Sequence, residues 1–103
     1  MIKKRKIGKT DLEVTELSMG TAPLGGWPIA TSDEEANETI STAWDKGIRY
    51  FDTAPLYGSG MAEERLGNFL KHKKREDFAI STKVGRLVVY SETGSQKFKG
   101  QDP

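Results

Sequence analysis

Gly47-Ile48-Arg49-Tyr50-Phe51-Asp52-Thr53-Ala54-Pro55-Leu56-Tyr57-Gly58, followed downstream by Ser81-Thr82-Lys83, is the part of the chain that decides its architecture. Ile48 to Phe51 is short, apolar and β-prone, and so is Phe78 to Lys83; both read as buried strands. One βαβ-sized interval therefore sets Asp52, Tyr57 and Lys83 at the ends of two neighbouring strands. In a parallel α/β sheet those ends form the carboxyl edge, where such folds place their sites. The three residue types suit one chemistry. A free phenol is a poor acid at neutral pH, but an adjacent ammonium stabilises the phenolate, and a carboxylate beside the ammonium keeps it charged and aimed. The expected order is Asp52 to Lys83 to Tyr57, with Tyr57 giving a proton to a substrate carbonyl as hydride arrives and taking it back in the oxidative direction. An Asp–Lys ion pair beside a packing tyrosine is the plainer reading of the same spacing.

Working outward, Ser32 and Glu35 form a capping box with acidic residues crowding the first turn. Ala36, Ile40, Ala43 and Trp44 then make one apolar helical stripe, and Gly47 is the expected C-terminal stop. A second helix is expected from about Met61 to Lys71, with Ala62, Leu66, Phe69 and Leu70 inward and Glu63, Glu64, Arg65 and Asn68 on a solvated face. Gly58-Ser59-Gly60 could cradle a phosphate at a helix start. It lacks the full nucleotide fingerprints, so a tight turn presenting Tyr57 is preferred. Upstream, Lys4–Ile7 and Leu12–Val14 read as a hairpin around Gly8-Lys9-Thr10-Asp11, and Leu17–Met19 as the first buried strand, ending at Gly20. The stretch from Pro23 to Pro28 reads as a loop holding Leu24 and Trp27, which either pack under it or line a pocket.

The order is thus hairpin, β, α, β, α, β, loop: an α/β fold with a parallel sheet and right-handed crossovers. If Phe78–Lys83 is regular, Ala79, Ser81 and Lys83 share one face and Phe78, Ile80 and Thr82 the other. Small residues on one side and bulky ones on the other suit a curved barrel wall with helices outside. We divide residues 1–103 into a hairpin cap (1–16), a βαβαβ unit (17–85) and a loop or tail (86–103).

Bulk composition narrows the function. The chain has 103 residues, 16 basic and 15 acidic side chains and a net charge of +1, so no whole-chain field points to nucleic acid or an anionic membrane. Without cysteine it has neither a disulfide framework nor a thiolate metal site. No metal site is expected. No apolar run approaches the ~20 residues that span a bilayer. Lys3-Lys4-Arg5-Lys6 lacks the apolar segment a signal peptide needs after its basic start, and lysines suit an exposed edge strand. A cytoplasmic setting is the expectation. His72, in a run of basic residues, reads as surface.

Taken together, Gly47-x-Arg49-x-x-Asp52-Thr53-Ala54, Tyr57-Gly58, Glu63-x-x-Leu66-Gly67 and Ser81-Thr82-Lys83 resemble the aldo-keto reductase family. Gly20-Thr21-Ala22-Pro23-Leu24-Gly25-Gly26 is similar to its aldose and pyridoxal dehydrogenase branch. Ile48 departs mildly, since an aromatic often follows the glycine; nothing catalytic depends on it. The resemblance covers the chain to about Arg86 but only the first third of a family member. It implies a (β/α)8 TIM barrel, here partial, with the hairpin plugging its bottom and about three parallel strands and two helices present. It implies an NADP- or NAD-dependent oxidoreductase of small aldehydes, ketones or sugar-like alcohols. Tyr57 would be the general acid/base, tuned by Lys83 and Asp52. Gly20 and Thr21, with Asp52, would lie near the nicotinamide, and Leu24 and Trp27, with Tyr57, at the substrate mouth. The family's histidine and most cofactor contacts fall beyond residue 103, so this chain alone is expected to be a truncated, inactive portion. The rival expectations are a non-catalytic cofactor-binding or regulatory module, and an inert fragment.

Overall fold

The computed structural model describes residues 1–89; of the expected loop or tail (86–103), the part from Tyr90 onward lies outside them. Two antiparallel strands, β1 (Lys4–Lys6) and β2 (Glu13–Thr15), form the hairpin, with Arg5 opposite Val14. A parallel sheet follows, ordered β3 (Met19–Gly20), β4 (Tyr50–Asp52) and β5 (Ala79–Ser81). Helix α1 (Asp33–Asp45) links β3 to β4, and helix α2 (Met61–Leu70) links β4 to β5. This is an α/β arrangement of the kind the alternating pattern predicts.

Helix α1 has both expected ends. Ser32 Oγ accepts from the Glu35 amide at 3.0 Å, and Glu35 accepts from the Ser32 amide at 3.0 Å, satisfying donors that the first turn leaves unpaired. At the other end Gly47 has φ +101°. Its amide donates to the Trp44 carbonyl, and the Ile48 amide donates back to Ala43, the paired bonds of a left-handed helix stop. Arg49 reinforces that stop by donating to the Trp44 and Ile48 carbonyls at 2.6 and 2.9 Å while its guanidinium lies over the Trp44 ring.

Each strand of the parallel sheet is shorter than the sequence suggests, for local reasons, while β2 keeps its expected length one residue further along. Ile48 is spent closing α1, so β4 begins at Tyr50. Phe78 follows a 3-10 turn (Arg75–Asp77) whose Arg75 donates to its carbonyl, so β5 begins at Ala79 and ends before Lys83. Leu17 is exposed, and β3 starts only at Met19. The expected loop after β3 contains a 3-10 turn, Ala22–Gly25.

The core lies between the sheet and the two helices. It comprises Leu24, Ala36, Ile40, Phe51, Ala62, Leu66 and Leu70. Trp44 ties it together, stacked on Phe51 and edge-on to Phe69 and Phe78. Phe51 and Ile80 pair across β4 and β5 and share the helix side; Phe51 is fully covered and Ile80 is 39% exposed. Only Ala79–Ser81 of the expected Phe78–Lys83 strand is regular, so the alternation is seen for Ala79 and Ser81 on one face and Ile80 on the other.

The hairpin docks on the amino edge of the sheet. Thr15 Oγ1 accepts from the Arg49 amide at 3.2 Å, just ahead of β4. It lies at the opposite end of the strands from Asp52.

Candidate active site

Parallel register builds the site. Gly20, Asp52 and Ser81 are partners across β3, β4 and β5, one row at the carboxyl edge of the sheet. Thr21, wholly buried, fixes the middle of that row: its hydroxyl and its amide both donate to the Asp52 carbonyl at 3.0 Å. Thr21 thus holds Asp52's backbone rather than presenting its hydroxyl outward. On the other flank the Thr53 amide donates to the Ser81 carbonyl at 2.9 Å.

Asp52 and Lys83 meet directly. Lys83 Nζ donates to Asp52 Oδ2 at 2.8 Å and to the Thr53 carbonyl at 3.0 Å. The same ammonium lies 5.1 Å from the centre of the Tyr57 ring. Lys83's hydrogen bond to Asp52 holds the Asp52 carboxyl below its ordinary range, aided by one from Ser81 and opposed by desolvation. Lys83 is held above the usual lysine range chiefly by Asp52, with Tyr57 acting in the same direction. The pair is ionised across the neutral range, and the cation is aimed at the phenol.

Tyr57 is presented by the turn that the Gly58-Ser59-Gly60 stretch makes. All three residues have positive φ, at +67°, +53° and +101°, and α2 opens immediately after them. Gly58 is also needed for a close approach. A Cβ there would stand 2.5 Å from the Gly25 carbonyl oxygen, and one on Gly25 would stand 2.5 Å from the Tyr57 carbonyl carbon. The Ala22–Gly25 turn therefore lies backbone-to-backbone against the Tyr57 loop.

Leu24 and Trp27, both expected at the mouth of the site, separate. Leu24 is 3% exposed and packs in the core, whereas Trp27 is 60% exposed. The loop that carries Trp27 is held at both ends by a residue assigned from the sequence to a solvated face. Arg65, its side chain 10% exposed, donates to the Leu24 carbonyl at 2.7 Å, the Thr31 carbonyl at 2.7 Å and Asp33 Oδ1 at 2.9 Å. The expectation for Arg65 is corrected accordingly: three acceptors converge on it from the turn, the loop and the start of α1. Helical spacing alone could not reveal carbonyls contributed by another segment. Glu63, on the same expected face, accepts from the Thr82 hydroxyl at 2.9 Å. His72 is exposed, as expected.

A cleft of about 140 Å³ opens beside this cluster, lined by Ala54, Pro55, Leu56, Tyr57, Lys83, Val84 and Arg86. A phenol, an ammonium and a largely apolar wall make it suited to a small polar group such as a carbonyl. A wider cleft of about 530 Å³, lined by Asp33, Gly60 and Arg65 among others, contains none of Asp52, Tyr57 and Lys83. Among the described residues no group of three or more His, Cys, Asp or Glu side chains could hold a metal ion. No helix among them is long and apolar enough to cross a membrane.

The chain is similar to known proteins of one family. Residues 16–101 match the model of the Aldo/keto reductase family. The chain is 50% identical over 91 residues to the pyridoxal 4-dehydrogenase of Microbacterium luteolum, covering 88% of this chain and 26% of that protein. It is 51% identical over 77 residues to the D-threo-aldose 1-dehydrogenase of a Pseudomonas species, covering 75% of this chain and 23% of the relative. Among solved structures it superimposes on the holo form of an aldo-keto reductase from Bacillus halodurans. There the TM-score is 0.75 at 35% identity, over 93% of this chain and 29% of that one. The chain spans about a quarter of the length of the curated relatives it matches.

Proposed function

The chain belongs to the aldo/keto reductase family, and from that premise we propose that it carries the proton-transfer half of an NAD(P)-dependent oxidoreductase acting on small aldehydes, ketones or sugar-like alcohols. In this reading the hairpin and the βαβαβ unit open a (β/α)8 barrel whose remaining strands complete the enzyme. The observation that carries the proposal is Lys83, whose Nζ bonds Asp52 at 2.8 Å while lying 5.1 Å from the Tyr57 ring.

In this reading a nicotinamide lies over the Gly20 end of β3, where the register sets a residue without a side chain beside Asp52. Such a cofactor, when bound, supplies or accepts the hydride. The chain's own residues handle the proton. Tyr57 donates its hydroxyl hydrogen to the substrate oxygen as that oxygen gains charge. Lys83 then stabilises the phenolate, and Asp52 holds Lys83 charged and in place. In oxidation the same phenolate takes the alcohol's proton. Thr21 supports this by fixing the Asp52 backbone, and Gly20 by leaving the space clear. Trp27 is assigned to the substrate side, on a loop anchored by Arg65, with Leu24 packed beneath it.

The names of the relatives suggest pyridoxal and aldoses as first substrates. The test is turnover by the native gene product with NADH and NADPH, measured as pyridoxal or aldose oxidation and as aldehyde reduction. Cofactor-linked turnover in either direction supports the proposal. A protein that binds the nucleotide tightly yet turns over none of these would overturn it in favour of a binding module.

A further inference from the structure

Asp52 has a second partner that the mechanism above leaves unused. Its other carboxylate oxygen, Oδ1, accepts from the Ser81 hydroxyl at 2.6 Å, and Ser81 Oγ in turn accepts from the Tyr50 hydroxyl at 3.0 Å. Tyr50 and Asp52 are two residues apart on β4, and Ser81 is in register with Asp52 on β5. All three side chains therefore share one face of the sheet, the face away from the helices. We propose that Ser81, backed by Tyr50, is a positioning residue of the proton-transfer site, fixing the rotation of the Asp52 carboxylate so that Lys83 is delivered to Tyr57. The inference rests on the function proposed for Asp52, Tyr57 and Lys83.

The physical case is one of orientation. A carboxylate tied through one oxygen can turn about its terminal bond, and a half-exposed lysine would follow it. Here both oxygens are engaged, Oδ1 by Ser81 and Oδ2 by Lys83. The Ser81 hydroxyl has a single hydrogen to give. With the Tyr50 hydroxyl donating to its oxygen, that hydrogen is directed to Asp52. Hydrogen bonds in such a chain also polarise one another, and one that ends on an anion is among the stronger kinds. The ionisable groups on the side of Asp52 are Lys83 beyond β5, which bonds it directly, and Tyr50 on its own strand; Tyr57 is reached through Lys83. The neighbouring strand β3 brings Gly20, which carries none.

Two measurements test this. Carboxyl NMR titration of the native gene product, with its aspartates selectively labelled, reads the contact without turnover. Ser81→Ala should move the Asp52 midpoint upward, Tyr50→Phe should move it less in the same direction, and Ser81→Thr should restore it. In the native gene product, Ser81→Ala should lower kcat about tenfold, the effect of losing roughly one charge-assisted hydrogen bond. It should also displace the pH–rate profile while leaving the KM for nucleotide unchanged, with Ser81→Thr rescuing both. An Asp52 titration and a pH–rate profile both indifferent to Ser81→Ala would overturn the proposal. Tyr57→Phe runs alongside as a control: if it stays fully active, the proton-transfer reading fails, while the NMR titration still decides whether Ser81 governs Asp52.

Discussion

Lys83 makes two polar contacts and a third approach with one ammonium: to Asp52 Oδ2, to the Thr53 carbonyl and towards the Tyr57 ring. That geometry has a pH signature. Asp52 is held below its ordinary range, so its contribution to stability is present above the unfolded carboxylate value of ~3.9. It is lost as pH falls through the folded value. Lys83 is held above its ordinary range, so its contribution is complete below ~10.4 and is lost as pH rises through the folded value. The side chains are 48% and 40% exposed, which limits the pair to at most about 1 kcal/mol. Urea midpoints of wild type and Asp52→Asn should therefore differ by a small, flat margin through the neutral range that closes at both extremes. A margin that persisted undiminished at pH 2 would mean that the ionised pair is not its source. Asp52, Tyr57 and Lys83 were legible in the sequence because strand ends in a βαβ unit share one edge. Ser81 was not singled out, although alternation put it on the face of Lys83. Its partnership with Asp52 depends on the β4–β5 register, which no single strand specifies.

At the scale of elements, the ends of α1 follow directly from two residues. Ser32 begins it through a reciprocal bond with Glu35, and Gly47 ends it at φ +101°. Gly47→Ala should destabilise the fold by about 1 kcal/mol, because an L side chain is strained in that conformation. Chemical denaturation should show the loss as a lowered midpoint at unchanged slope; an unshifted midpoint would show that the stop tolerates a side chain. Helix limits and apolar stripes could be read from sequence because capping chemistry and 3.6-residue periodicity are local. Strand limits were harder: Ile48 looks like a strand residue yet is used to close the preceding helix. Arg65 was the larger surprise. It lies among glutamates on a helix face that looks solvated, and only the fold brings the Leu24 and Thr31 carbonyls to it. The Gly25–Gly58 approach is of the same kind, since two glycines distant in sequence are required by one tertiary contact.

At the scale of the whole molecule, hairpin and site occupy opposite ends of one short sheet. The hairpin is docked through Thr15 at the amino edge, and the row Gly20–Asp52–Ser81 forms the carboxyl edge. Among the described residues β3 and β5 each pair with β4 alone, leaving two strand edges open to pairing. Ile80, Val84 and Leu87 add exposed apolar surface near β5. The purified 103-residue chain is accordingly expected to self-associate as its concentration rises, which light scattering would register; a stable monomer at high concentration would contradict this. Tyr57 as the proton donor is the role on which the rest of the mechanism depends. Its most direct test is kcat of Tyr57→Phe in the native gene product, with nucleotide affinity measured in parallel by fluorescence. We expect a fall in kcat of about 10²- to 10⁴-fold at unchanged nucleotide affinity. Retention of wild-type turnover by Tyr57→Phe would contradict that role.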